Sequence, residues 1–153
     1  TIDWQEWKEE FTELGIKHPD EIDAQKRREK KILSKFETLL SSYAEHQRIR
    51  PGTLGMDFFT NAFMNLVKKG VHQKYPDEVV VALAGVIGEL TISEFVLSIW
   101  PFGQDEELIT EKKKEAIEEA AKWLVSEKPS LFRFWNYRKY QKLLYKLLSE
   151  YFE

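Results

Sequence analysis

Val79-Val80-Val81-Ala82-Leu83-Ala84-Gly85-Val86-Ile87-Gly88-Glu89-Leu90 is the longest strongly apolar run in the chain. Its β-branched residues would suit a buried strand, but a strand needs a ladder partner and no other segment supplies one. The run is shorter than the about 20 residues that a bilayer-spanning helix requires, and Gly85 and Gly88 interrupt it, so no membrane is expected among the partners. The reading that remains is a buried central helix near residues 77-90 of an all-α fold, opened by Pro76-Asp77. Its Ala and Gly residues would let neighbouring helices come close.

Working upstream, Phe58, Phe59, Ala62, Phe63, Leu66 and Val67 predict a helix from near Leu54 to Lys69, stopped by Gly70. Arg50-Pro51-Gly52-Thr53 is the clearest internal break, because Pro disfavours helix in the residue before it. Before the break, a long helix is expected from the His18-Pro19-Asp20 turn to about His46, with Asp20, Glu21 and Asp23 at its positive dipole end. Ile32, Leu33, Phe36, Leu39, Leu40 and Tyr43 give its C-terminal half an apolar stripe. Gln25 to Lys31 is almost wholly charged and should stand in solvent or face a partner. Trp4, Trp7, Phe11 and Leu14 predict a short first helix over residues 2–14, ended by Gly15.

Downstream, Thr91-Ile92-Ser93-Glu94 has capping-box spacing, so a separate short helix should follow, carrying Phe95, Val96 and Ile99 inward and ending at Pro101-Phe102-Gly103. A further helix is expected from about Asp105 or Thr110 to Ser126, with Ile109, Ala116, Ile117, Ala120, Ala121 and Leu124 on one face. Pro129-Ser130 should start the last helix, whose stripe is Tyr137, Tyr140, Leu144, Leu147 and Tyr151. The whole reads as a compact single-domain bundle of about six or seven helices over residues 1-153, without internal repeats.

Composition bounds the chemistry. A chain of 153 residues that is 42% hydrophobic can bury roughly two-thirds of its unfolded surface and needs no covalent staples. The absence of Cys excludes disulfides, thiolate zinc, iron–sulfur clusters and cysteine nucleophiles, and makes a cytoplasmic address the default. No basic leader with an apolar core opens the chain at Thr1-Ile2-Asp3-Trp4, so no secretory signal is expected. Seventeen Lys and twenty Glu against three Asn and two Met resemble the thermophile bias toward ion-pair networks.

Catalytic and cofactor patterns are missing. His18, His46 and His72 lie in different segments and none follows a Glu by three residues, which excludes the Glu-x-x-His pairs of ferritin-like di-iron bundles. Gly85-Val86-Ile87-Gly88 has the spacing of the KH-domain Gly-x-x-Gly loop, but its apolar centre suits close helix packing rather than phosphate. Gly52-x-x-Gly55 precedes a helix and could offer amides to an anion beside Arg48 and Arg50; without the P-loop Lys-Ser/Thr, a plain turn is the simpler reading. Glu106-Glu107 and Glu118-Glu119 read as solvated carboxylates. The expectation is no enzyme, no cofactor and no metal ligand.

Charge is blocked along the chain. Residues 1–23 hold 2 basic and 8 acidic groups, 24–76 hold 11 and 4, 77–127 hold 4 and 12, and 128–153 hold 6 and 2, beneath a net charge of only −3. Acidic and basic helices could neutralise each other pairwise. Alternatively, Lys26, Arg27, Arg28, Lys31 and Lys35, which with Lys30 crowd one short stretch, converge with Arg48 and Arg50 into a positive patch. The segment Leu131 to Lys142 interleaves aromatics with Arg133, Arg138, Lys139 and Lys142, as single-stranded nucleic-acid binders do; the plainer alternative is core aromatics covered by snorkelling cations. Two binding roles follow. The first is a noncatalytic helical adaptor or accessory subunit that docks on another protein or self-associates, because aromatic and Arg residues dominate interface energetics. The second is an accessory protein binding single-stranded nucleic acid through residues 26-50 and 133-142, ranked below because the chain is acidic overall, with a pI of about 5.7.

Overall fold

A computed structural model describes residues 6–15, 18–99 and 106–152, excepting the side chains of residues 11, 95–99 and 106–109. Seven helices account for most of them, and no strand occurs among the described residues: α1 (Lys8–Glu13), α2 (Pro19–His46), α3 (Leu54–Lys68), α4 (Val71–Lys74), α5 (Asp77–Ile99), α6 (Glu106–Glu127) and α7 (Tyr137–Tyr151). The all-α expectation of six or seven helices holds. None of the described helices is long and apolar enough to cross a membrane.

The chain gathers into two compact units, Thr1–Glu37 and Thr38–Glu153. The smaller unit contains α1 and the first part of α2. No side chain described between residues 6 and 35 is buried. Trp7 and Leu14, expected on an inward face, are exposed, and helix begins only at Lys8; Trp4 lies outside the described residues. Gly15 ends α1 at φ +75°, the left-handed turn expected of it.

The larger unit is built around α5, which packs against α3 and α6 and also meets α4 and α7, while α7 lies on α6. Every residue from Val79 to Gly88 is buried, as the central-helix reading requires. Its two glycines explain how. A Cβ at Gly88 would stand 3.0 Å from the Phe59 Cα, and one at Gly85 would overlap the Tyr43 ring. The α3–α5 contact is thus a backbone-to-backbone approach, and the Tyr43 ring of α2 fills the notch at Gly85. Tyr43 also stacks on Phe59 at 5.3 Å between centroids and meets Trp123 edge-on at 5.3 Å, joining α2, α3, α5 and α6 through aromatic packing.

Two expectations are corrected and one is extended. First, α5 continues unbroken to Ile99, so Thr91-Ile92-Ser93-Glu94 starts no new helix: the Thr91 hydroxyl donates to the Ile87 carbonyl at 2.8 Å, bonding back into its own helix. The side chains of Phe95, Val96 and Ile99 and the expected stop at residues 101–103 lie outside the described residues. Second, Gly70, at φ +76°, does more than end α3, because it also leads into the four-residue α4. Third, the last helix begins at Tyr137 rather than at Pro129-Ser130. Lys128 adopts φ +48°, and residues 129–135 form successive turns in which Phe132 N–H donates to Pro129 and Trp135 N–H to Phe132. Asn136 then caps α7, its side chain accepting from Lys139 N–H at 3.0 Å.

Candidate functional site

All eleven cations expected to bind, Lys26, Arg27, Arg28, Lys31, Lys35, Arg48, Arg50, Arg133, Arg138, Lys139 and Lys142, are exposed. Among the described residues, none of them has a carboxylate within ion-pair distance. On α2, Arg27, Arg28, Lys31 and Lys35 follow three- and four-residue steps and share one face that flanks the apolar stripe. Arg48 closes that helix in the larger unit. Its φ of +58° lets its N–H donate to Glu45 while Ile49 N–H reaches back to Ala44. Gly52-x-x-Gly55 is a turn whose helix is already capped: the Thr53 hydroxyl accepts from Met56 N–H and donates to the Arg50 carbonyl.

The C-terminal basic–aromatic segment combines buried anchors with an exposed tip. Tyr140 is fully buried and its hydroxyl donates to the Phe132 carbonyl at 2.6 Å, pinning the turns to α7. Phe132 stacks on Trp135 at 4.2 Å, and Lys139 lies over the Trp135 ring at 5.9 Å. Those rings serve each other. Leu131 and Phe134 do not: they are 74% and 87% exposed, the two most exposed large apolar side chains described. Arg133 lies over Phe134 at 4.9 Å, and Arg138 and Lys142 line the solvent face of α7 one turn apart.

A second locus was not foreseen. Within the larger unit, Gln47, Glu89, Ile92, Ser93, Lys112, Glu115 and Glu119 line a pocket of about 320 Å³ between α5, α6 and the end of α2. Burial, and next the neighbouring Glu119 carboxylate, push the Glu89 carboxyl up to about 7. Glu119 is held by Lys122 at 3.2 Å and His46 at 3.4 Å, and Glu115 by Lys112 at 3.8 Å. Glu89 has no cation within ion-pair distance among the described residues, and the Lys112 charge in the same pocket offsets part of its rise. The Tyr43 hydroxyl, which does not line the pocket, lies against Gly85 one helical turn before Glu89. Burial, and then the charges of Glu89 and Glu119, raise its pKa well above the ordinary phenol value. Gln47 stands near it and favours the ionised form, yet neither Tyr43 Oη nor the buried Gln47 Nε2 completes a hydrogen bond by distance and angle among the described residues.

The sequence reading took Glu118-Glu119 as solvated; both are only half-exposed and Glu119 faces the pocket. The signal for Glu89 was available, since it is the one charged residue in the run Val79–Leu90. Tyr43 and Gln47 carried no signal beyond helical spacing. A smaller cavity of about 180 Å³ lies where the end of α7 meets α3 and α5; there the Lys69 ammonium donates to the Tyr151 carbonyl at 2.6 Å, completing a helix end. No trio of His, Asp or Glu among the described residues is arranged to hold a metal ion. Compared with known protein families, curated proteins and solved structures, the chain matches none.

Proposed function

We propose that this chain is a noncatalytic interaction subunit that docks on another protein through the turn and helix start at residues 131–142. The observation that carries the reading is the pair of exposed apolar side chains, Leu131 and Phe134, set among unpaired Arg133, Arg138, Lys139 and Lys142 and held on a rigid base by Tyr140 and Asn136. An apolar anchor ringed by cations suits a partner surface with an apolar pocket bordered by carboxylates. A photo-crosslinker placed at residue 134 should capture one partner protein, and Arg138→Glu with Lys142→Glu should reduce that capture at least tenfold. A chain that sediments as a monomer and gives no crosslink in its native lysate overturns the proposal.

The unpaired cations also support the second reading, an accessory protein for single-stranded nucleic acid. It is ranked lower because base stacking needs free rings, and Phe132 and Trp135 already stack on each other while Tyr140 is buried. Four phosphate contacts from this segment would weaken oligonucleotide binding about fiftyfold between about 50 and 200 mM salt. A salt-independent or absent signal eliminates this reading.

A further inference from the structure

We propose that the cationic part of α2, from Lys26 to Lys35, binds double-stranded DNA by lying along a groove and meeting the phosphates on both sides of it. Residues 24–36 carry six cations, Lys26, Arg27, Arg28, Lys30, Lys31 and Lys35, against the single carboxylate of Glu29. All six are exposed, and none has a carboxylate within ion-pair distance among the described residues. Two nearby acids are engaged elsewhere: Glu29 accepts from Gln25 at 3.2 Å, and Asp20 lies 3.6 Å from His18. Crowding so many like charges onto one stretch of helix costs stability through self-repulsion. A dense line of counter-anions removes that cost.

The arrangement of the charges selects the anion. At about 100° per residue, Lys26 and Lys30 fall to one side of Arg27, and Lys31, Lys35 and Arg28 to the other, so the charge covers an arc of about 200°. A single strand or an acidic peptide offers one line of charge and meets only part of that arc, whereas a duplex groove offers two. A helix about 10–12 Å across matches the B-form major groove, about 12 Å wide; the A-form major groove is too narrow for it. Among the described residues, no large apolar side chain is exposed between Ile22 and Leu54. A protein interface needs such an anchor at its centre, and base stacking needs a free ring. Phosphate neutralisation needs neither. This surface thus differs in kind from residues 131–142, where Leu131 and Phe134 supply an apolar centre.

The test is titration of the intact protein, read by fluorescence anisotropy, with a labelled random-sequence DNA duplex, the single strand of the same length, and polyglutamate. The duplex should bind with a dissociation constant on the order of micromolar at about 50 mM salt, and its log affinity should fall against log salt with a slope of about −5. The single strand and polyglutamate should bind more weakly. Changing Arg27, Arg28, Lys31 and Lys35 together to Gln, a residue of similar helix propensity, should weaken duplex binding by about fiftyfold or more at low salt while circular dichroism is unchanged. Changing Arg133, Arg138, Lys139 and Lys142 to Gln should alter it by less than about threefold. Crosslinking from residue 134 should survive the α2 changes, so this proposal and the protein-docking reading fail separately. Absence of duplex binding at about 50 mM salt, a slope shallower than about −2, a single strand or polyglutamate bound as tightly as the duplex, or an affinity unchanged by the α2 replacements would overturn the proposal.

Discussion

A methyl group at Gly85 would occupy the space of the Tyr43 ring, so two opposing effects meet at one residue. Ala in place of Gly inside a helix gains about 1 kcal/mol in propensity, whereas overfilling a packed core costs about 1–3 kcal/mol. Tyr43 is wedged against Phe59 and Trp123 and has no room to yield, so the second effect wins. Gly85→Ala should destabilise the protein by about 2 kcal/mol in denaturant unfolding, and shortening Tyr43 to Leu should remove most of that penalty. Glu89 makes a prediction about pH. Its carboxyl is raised from 4.5 to about 7, so the folded protein keeps a proton that the unfolded chain releases between those values. The stability this confers is whole below pH 4.5 and is lost as pH rises through 7, an effect of about 3 kcal/mol. Glu89→Gln abolishes the loss. The stability advantage of Glu89→Gln over the wild type should therefore widen between pH 5 and pH 8, and a constant gap would contradict the assignment.

Helix ends test which polar residues act as caps. Asn136 and Thr53 accept from backbone N–H groups in the first turns of α7 and α3, so replacing either with Ala should cost about 1 kcal/mol. Thr91 bonds back to Ile87 within α5, and Thr91→Ala should change stability by less than about 0.5 kcal/mol. Equal losses at positions 91 and 136 would show Thr91 acting as a cap after all. The contrast also explains what the sequence conveyed at this scale. The bounds of α2, α3 and α6 were legible because apolar periodicity and Pro or Gly boundaries agree there. Thr91-Ile92-Ser93-Glu94 misled because a capping box and a mid-helix Thr share the same spacing and differ only in the conformation of the preceding turn. Pro129 misled because a Pro near a helix start equally suits a turn; the deciding features, Lys128 in the left-handed region and the Asn136 cap, are local geometry. The pocket was illegible for a related reason: Gln47, Glu89 and Glu119 come from three segments, and only packing brings them together.

Across the whole chain, burial and charge are distributed unequally. The described lysine pairs of α6 form within that helix, Lys112 with Glu115 and Lys122 with Glu119, and across helices only His46 of α2 reaches Glu119 among the described pairs. The eleven cations are exposed, and none has a carboxylate within ion-pair distance among the described residues. Burial follows a similar gradient. Between residues 6 and 35 no described side chain is buried, so the early part of α2 is held chiefly by its own hydrogen bonds, which for a short helix in water are marginal. Val79 to Gly88 is buried throughout and opens only when the core does. Hydrogen exchange should therefore separate the two: amides of residues 20–34 should exchange within seconds to minutes, and those of residues 83–88 only through global unfolding. A bound macromolecule touching the α2 cations should slow the first group selectively. Uniform protection along α2 in the free protein would mean that its charged half is supported by packing, and that its cations are not held out for a partner.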